Sequence, residues 1–208
     1  MSGLELTIQF FEGLVTRERP GGYWSTFEEV VRLLGRKRRT AFAGALALSA
    51  HGMVRATEDI DVLVHPEEKD RLVREMGARF VLREDLDTLL VYADRETGTE
   101  VDLLVAFDPI SLEACSSPAR ARVRGKQVRV VSPENLTAMK VVAAVDSPGI
   151  EAKQRADVEQ LVRSGLIDVN RVSRLLQDEA GREYAKYFIT VVRHVRAHPA
   201  RTAPKRKL

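Results

Sequence analysis

Two aspartates, Asp59 and Asp61, stand one residue apart at the start of the apolar segment 57–64. β-Branched and apolar residues dominate this segment and Pro66 closes it, which predicts a β-strand. Because side chains alternate between the faces of a strand, both carboxylates project from one face while the apolar residues enter a core. Close negative charges repel unless a cation lies between them, and Mg²⁺ prefers carboxylate and phosphate oxygens. The pair indicates a metal-dependent phosphoryl or nucleotidyl transfer site, although a solvent-exposed acidic strand end has the same pattern.

A second predicted strand, residues 100–106, also carries a carboxylate near its start. Its apolar residues share one face, and Asp102 lies on the other. If this strand pairs beside the first, Asp102 joins Asp59 and Asp61 in a set of three carboxylates, which is a better metal site than two. Otherwise Asp102 is an ordinary half-exposed strand residue.

A glycine turn precedes the aspartate strand. Residues 40–43 predict a short strand that leads directly into Gly44 and Ala45, and a short helix of small residues follows. Glycine at a strand-to-helix turn lets a ligand approach the backbone, and the free amides of the helix start can donate to a phosphate. Arg55 and Thr57 lie between this helix and the aspartates, so the whole segment is a candidate nucleotide site.

Two residues of the C-terminal half also carry charge where apolar residues are expected. Lys140 lies on the apolar stripe of a helix that begins at Ser132 and Pro133. A buried lysine needs an anionic partner, so Lys140 is a candidate for binding phosphates, although it could also extend to solvent or pair with a structural carboxylate. Asp157 lies at the margin of the buried face of the next helix, where it can orient a lysine or form an ion pair with Lys153.

Residues 121–131 predict a β-hairpin that turns at Gly125 and Lys126. The pattern places Arg120, Arg122 and Arg124 on one face of its first strand. This row could follow a nucleic-acid backbone, or it could simply protect an exposed sheet edge against aggregation by its charge.

The elements that must position these residues alternate between helices and strands up to residue 132 and are helical beyond it. We expect an α+β fold with a core at 1–132, a helical subdomain at 133–200 and a basic, disordered tail at 201–208. Further predicted helices include residues 4–19 and a helix capped by Ser25 or Thr26. Further predicted strands cover 79–82 and 89–92.

The 208 residues carry a net charge of +3, 44% hydrophobic residues and one cysteine. No apolar run approaches the length of about 18 to 20 residues that spans a bilayer, so no membrane association is expected. A single cysteine excludes an intrachain disulfide and a cysteine-rich metal site. We expect a cytoplasmic protein.

Taken in order, Gly44-Ala45, Arg55, Thr57 and Asp59-Ile60-Asp61, with the later Asp102, Lys140 and Asp157, resemble the motifs of the DNA polymerase β-like nucleotidyltransferase superfamily. Residues 43–64 in particular resemble the AbiEii-like nucleotidyltransferases, which are toxins of type IV toxin-antitoxin systems. The resemblance covers roughly residues 40–165. It implies a nucleotidyltransferase fold, in which helices flank a mixed β-sheet and a helical subdomain follows.

The resemblance also implies roles for the motif residues. Asp59, Asp61 and Asp102 would bind the catalytic Mg²⁺ or Mn²⁺ ions. The triphosphate of a nucleoside triphosphate would contact the remaining motif residues, which are Gly44, Ala45, Arg55, Thr57 and Lys140. Lys140 and Asp157 would carry the later lysine and aspartate motifs. Many family members have Ser or Gly where this chain has Ala45, so one hydroxyl donor to the phosphates is absent.

The function implied is transfer of a nucleoside monophosphate to a hydroxyl acceptor. The expected acceptor is RNA, with tRNA 3′ ends favoured, and a cognate antitoxin is an expected partner. A small-molecule antibiotic or a protein as acceptor remains open. The alternative from another class is a catalytically silent binding module, but all three carboxylates are present, and only Ala45 favours it.

Overall fold

The computed structural model describes residues 20–35, 39–53, 55, 57–77 and 79–199. The helix predicted over residues 4–19 and the tail predicted over 201–208 lie outside this described part. None of the helices within it is long and apolar enough to cross a membrane.

The described residues form eight α-helices and seven β-strands. In the first half of the chain these are α1 Pro20–Leu34, β1 Thr40–Phe42, α2 Gly44–Ala50, β2 Asp59–Val64, α3 Pro66–Met76, β3 Phe80–Leu86, β4 Leu89–Asp94 and β5 Glu100–Val105. In the second half they are α4 Pro109–Ser116, β6 Ala119–Val123, β7 Lys126–Val130, α5 Pro133–Asp146, α6 Glu151–Ser164, α7 Val169–Glu179 and α8 Arg182–Ala197.

All seven strands belong to one mixed sheet with the order β3-β4-β5-β2-β1-β7-β6. The aspartate strand β2 is central: it runs parallel to β5 on one side and antiparallel to β1 on the other. β1 continues the sheet by pairing in parallel with β7, and β6 and β3 are the two edges. This confirms the predicted α+β class with a mixed sheet.

Contacts divide the described residues into two compact units, one that ends at Leu136 and one that begins at Thr137. The first contains the sheet, and the second contains α6, α7, α8 and most of α5. The division lies within α5, and our boundary at residue 132 stays a prediction.

The core of the first unit covers the face of β2 opposite the aspartates. Ile60 and Val62 on this face are fully buried, as alternation predicts. From α1, the Phe27 ring packs on Phe42 of β1, with 5.4 Å between the ring centroids. Leu63 is also buried, so the aspartate face is covered beyond Asp61 as well.

α1 begins at Pro20, five residues before the predicted cap at Ser25 or Thr26. Proline suits the first turn of a helix because its missing N–H would have no helical partner there, so the Pro20-Gly21-Gly22 segment can form the start of this helix. Thr26 does not cap the helix: its hydroxyl donates to the Asp94 carboxylate at 2.6 Å.

The hairpin formed by β6 and β7 turns one residue earlier than predicted, at Arg124 and Gly125. Both residues have positive φ, 46° and 75°, as in the tight turns that suit the twist of paired strands. Arg124 therefore leaves the predicted row of arginines. Its guanidinium lies over the Trp24 ring of α1, 4.8 Å from the centroid.

Candidate active site

The structure brings Asp59, Asp61 and Asp102 onto one face of the sheet. β2 and β5 pair in parallel with Asp61 directly beside Asp102 and Asp59 beside Glu100. Residues in register project from the same face, and all three aspartates are half-buried. The expected pairing of the two strands is confirmed, and it depends on a contact between segments about forty residues apart in sequence.

The crowding of negative charge changes the protonation of Asp102. Burial, together with the charges of Asp61 and Asp59, raises the pKa of Asp102 to about 7. Near neutral pH this carboxyl is therefore partly protonated unless positive charge is brought close to it. A bound cation favours the ionised form of Asp102. It would therefore counteract the rise in pKa that the neighbouring carboxylates cause.

Thr57 holds Asp59 from the segment just before β2. The Thr57 hydroxyl donates to the Asp59 carboxylate, and its oxygen also lies 3.3 Å from the Asp59 carbonyl oxygen. This pair closes a short turn, in which a side-chain hydroxyl fixes the carboxylate two residues on. Thr57 thereby limits the orientations available to the Asp59 side chain.

Gly44 lies against Asp61, and no side chain could occupy its position. Its φ of +51° is in the left-handed region that favours glycine, and a Cβ added there would overlap the Asp61 Oδ2 atom. The N–H of Ala43 donates to the Asp61 carbonyl at 2.9 Å, which fixes the turn against β2. Ala45 follows in the first turn of α2 with its side chain buried.

Lys140 and Asp157 form a buried ion pair in the second unit. Nζ of Lys140 on α5 lies 2.6 Å from Asp157 Oδ2 on α6, and it also donates to Gln154 Oε1 at 3.1 Å. Both side chains are almost fully buried, which requires this kind of pairing. The predicted burial of Lys140 is confirmed, and the structure gives it a carboxylate partner.

The remaining predicted residue, Arg55, is half-buried in the segment between α2 and β2. The structure thus brings Gly44, Thr57, Asp59, Asp61 and Asp102 together in the first unit and pairs Lys140 with Asp157 in the second. The nucleotide-binding roles of Gly44, Ala45, Arg55, Thr57 and Lys140 all stay predictions.

Tyr23 of α1 was not singled out from the sequence, but it is linked to this site. Its side chain is almost fully buried, and its hydroxyl has no hydrogen-bond partner among the described residues. Burial, followed by the charges of Asp61 and Asp59, raises the pKa of Tyr23. A tyrosine among buried apolar residues has no sequence pattern that distinguishes it from a core residue.

The carboxylates can be tested as metal ligands by their chemistry. Among the described residues, no three His, Cys, Asp or Glu side chains are already arranged to hold a metal ion. The donors are nevertheless of the right type, since Asp59, Asp61 and Asp102 offer hard oxygens on one face and repel one another. These residues fit Mg²⁺ or Mn²⁺ better than a soft metal.

Comparison with known proteins agrees with this geometry. The family model described as nucleotidyl transferase AbiEii toxin, type IV TA system, matches residues 32–207. No curated protein matches the chain.

Two solved structures show the same fold. The solution structure of the antibiotic-resistance factor ANT(2'')-Ia is 17% identical with a TM-score of 0.55, and the alignment covers 84% of this chain and 96% of that one. The crystal structure of an antigenic nucleotidyltransferase-like protein from Paracoccidioides brasiliensis is 17% identical with a TM-score of 0.51, covering 86% of each chain. With a nucleotidyltransferase fold and a family match over most of its length, the chain belongs to the AbiEii family of nucleotidyltransferase toxins.

Proposed function

We propose that this chain transfers a nucleoside monophosphate from a nucleoside triphosphate to a hydroxyl group of RNA, with the 3′ end of tRNA as the preferred acceptor. One observation carries the proposal: Asp61 and Asp102 lie side by side on neighbouring strands, with Asp59 on the same face. Such a set of oxygens suits the divalent cations that accompany triphosphates.

Asp59, Asp61 and Asp102 would hold Mg²⁺ or Mn²⁺; the ion would neutralise triphosphate charge and would lower the pKa of an attacking hydroxyl. Thr57 keeps the Asp59 carboxylate in place, so less ordering is needed when substrate binds. Gly44 packs directly against the Asp61 carboxylate, so the start of α2 lies beside a proposed metal ligand, and its backbone would contact the triphosphate. Arg55 would contribute positive charge to the triphosphate.

Lys140 and Asp157 would act as a pair. The ammonium group is held within a largely apolar helix by a carboxylate at 2.6 Å, so its position is well defined. A fixed positive charge stabilises the charge that develops on the triphosphate during transfer. In this proposal Lys140 contacts phosphate and Asp157 is a positioning residue.

An antitoxin as partner is supported by the family's description as a toxin of a type IV toxin-antitoxin system. RNA as acceptor follows from the resemblance to nucleotidyltransferase toxins and is part of the proposal. We place the activity in the cytoplasm, where tRNA and nucleoside triphosphates occur. We also retain a boundary near residue 132 between the nucleotidyltransferase core and the helical subdomain.

The test incubates the purified protein with Mg²⁺ and each α-labelled nucleoside triphosphate, with and without total tRNA. The variant Asp59→Asn, Asp61→Asn removes two proposed ligands. The variant Asp85→Asn, Asp87→Asn makes the same charge change at exposed positions near the end of β3 and in the turn that follows it. We expect label on tRNA with wild type and with the second variant, and a loss of at least about 100-fold with the first.

Label on an added aminoglycoside but not on tRNA would refute RNA as acceptor. Equal labelling by both double variants would refute the assignment of the carboxylates. Absence of label with every triphosphate and acceptor would refute the transfer activity itself.

A further inference from the structure

The hairpin formed by β6 and β7 presents three arginines on one face at the edge of the sheet. Cross-strand register places Arg120 directly opposite Arg129 and Arg122 opposite Gln127. Arg120 and Arg122 are exposed, and Arg129 is half-buried. We call the side chains of Arg120, Arg122 and Arg129 the arginine face.

The arginine face brings like charges opposite each other across the two strands. Like charges directly opposite each other destabilise a pair of strands. The hairpin contains no acidic residue that could offset the charge. Among its contacts, Arg129 donates to the Gly35 carbonyl at 3.2 Å and to the Thr40 hydroxyl at 3.1 Å, so it is anchored within the first unit. One or two lysines would be enough to protect an exposed edge strand against aggregation. This protection does not require arginines that lie opposite each other on two strands.

The arginine face lies on the same side of the sheet as the aspartates. Ala41 of β1 pairs with Leu63, which shares the face of Asp61 two residues further along β2. In the β1–β7 pairing Phe42 lies beside Val130, so the neighbouring Arg129 is on the same face as Ala41. In the β6–β7 pairing Arg120 lies opposite Arg129 and therefore shares this face. β6 is three strand positions from β2, so the exposed arginines lie on the order of 14 Å from the aspartate strand at about 4.8 Å per strand.

The hairpin is also attached to α1 at its tip. At its tip, the Arg124 guanidinium stacks on Trp24 of α1, and Trp24 is itself buried against neighbouring aromatic rings. A surface that is ordered in advance loses less entropy when a ligand binds. The exposed arginines are therefore presented on a fixed platform.

We propose that the arginine face binds the sugar-phosphate backbone of the RNA acceptor and thereby directs its end toward the aspartates. Arg120 and Arg122 are two residues apart on one strand, about 7 Å at 3.4 Å per residue, a spacing that allows each to contact a different phosphate. Arginine binds phosphate oxygens in a bidentate manner, which favours it over lysine for this contact. This inference adds a binding surface for the acceptor to the proposed function, and the choice of RNA as the ligand rests on that proposed function.

The experiment measures binding of the full chain to total tRNA labelled with fluorescein at its 5′ end, by anisotropy, between about 50 and about 200 mM KCl. The test variant is Arg120→Gln, Arg122→Gln. The matched control is Arg83→Gln, Arg95→Gln, which removes two exposed arginines at the opposite edge of the same sheet. We expect the slope of log Kd against log salt to fall by about 2 in the test variant only.

The outcomes separate this inference from the proposed function. Equal salt slopes for the two double variants, or no binding of tRNA by wild type, would overturn the arginine face. Poly-L-glutamate that displaced tRNA at equal charge concentration would overturn it in favour of an acidic protein partner. Binding that depends on these arginines without any label transfer would support the surface and refute the transfer activity. An unchanged melting temperature of Arg120→Gln, Arg122→Gln would exclude misfolding as the cause of weaker binding.

Discussion

At the scale of single residues, Gly44 and Asp61 leave no room for one additional carbon atom. Gly44→Ala combines a φ of +51° with a methyl group that overlaps the Asp61 carboxylate. We expect the free energy of unfolding to fall by about 2 to 4 kcal/mol and transfer activity to be lost, because Asp61 must move. Denaturant unfolding and label transfer measure the two effects.

Gly52→Ala is the matched control for this substitution. Gly52 also has a positive φ, +85°, but a Cβ there would meet nothing within 4 Å. The loss should be about 1 to 2 kcal/mol, with activity retained. Equal losses of stability and activity for both variants would show that the contact between Gly44 and Asp61 has no role.

The buried pair of Lys140 and Asp157 allows stability and activity to be separated. Lys140→Met leaves the Asp157 carboxylate buried without its charged partner, so we expect a loss of about 3 to 5 kcal/mol. Adding Asp157→Leu removes the stranded charge and should restore most of the stability. If Lys140 contacts phosphate, the restored double variant remains inactive in the label-transfer assay.

The ion pair of Arg155 with Glu159, also on α6, is a partly exposed reference for the buried pair. This contact, at 3.2 Å, is partly exposed, so Arg155→Ala should change the free energy of unfolding by less than about 1 kcal/mol. If the loss of unfolding free energy in Lys140→Met, Asp157→Leu equalled the sum of the losses in the two single variants, this would contradict a pairwise interaction between the two residues. Full activity in that variant would contradict a phosphate contact of Lys140.

At the scale of elements, a buried polar cluster attaches α1 to the sheet. Asp94 at the end of β4 accepts hydrogen bonds from Thr26 of α1 at 2.6 Å and from Arg79 at 2.8 Å. Burial would raise the pKa of Asp94, but the hydrogen bonds from Arg79 and Thr26 outweigh it and lower the pKa. A carboxyl whose pKa is lower in the folded state stabilises the protein above its unfolded pKa, and that contribution is lost as the pH falls through the folded pKa.

Asp94→Asn should therefore lower the free energy of unfolding at pH 7 by about 2 kcal/mol. The difference from wild type should shrink as the pH falls from the unfolded pKa of Asp94 through its lower folded pKa. Glu96→Gln is the control, since Glu96 contacts the same Arg79 at 3.4 Å from an exposed position. If the difference in unfolding free energy between Asp94→Asn and wild type stayed constant from pH 7 to acidic pH, this would contradict a stabilising role for the ionised Asp94 carboxylate.

The elements also explain how far the sequence alone could go. Alternating side chains were enough to predict β2 and the shared face of Asp59 and Asp61, because that pattern is local. The start of α1 was predicted wrongly. Ser25 and Thr26 have the composition of a cap, but Thr26 donates to Asp94 of β4 and Ser25 accepts from Arg79, just before β3. The helix α4 was missed, although Asp108 and Ser111 form a capping box that follows the usual helix-start pattern.

For the site, the sequence identified the residue types but not the pairings. The register of Asp61 with Asp102 depends on which strand lies beside β2, and four other strands compete for that position along the chain. The partner of Lys140 required two helices to be packed together. The contact of Arg124 with Trp24 joins segments 100 residues apart, and no local pattern predicts it.

At the scale of the whole molecule, binding of the proposed ligands should raise the melting temperature of the protein. A ligand that binds only the folded state stabilises it, by about 2.7 kcal/mol at 100 times its Kd. For a chain of 208 residues this corresponds to a rise in Tm of about 5 to 10 °C. We expect this rise when a nucleoside triphosphate and Mg²⁺ are present together, and a smaller one for either alone.

The dependence on both components follows from the charges of the first unit. The three aspartates repel a free triphosphate, and a divalent cation removes that repulsion, so the two ligands should bind cooperatively. Differential scanning fluorimetry of wild type, of Asp59→Asn, Asp61→Asn and of the exposed control Asp85→Asn, Asp87→Asn measures this directly. The shift should disappear only in the first variant. An equal shift in all three proteins would mean that the nucleotide binds elsewhere, and a full shift in EDTA would mean that binding requires no metal.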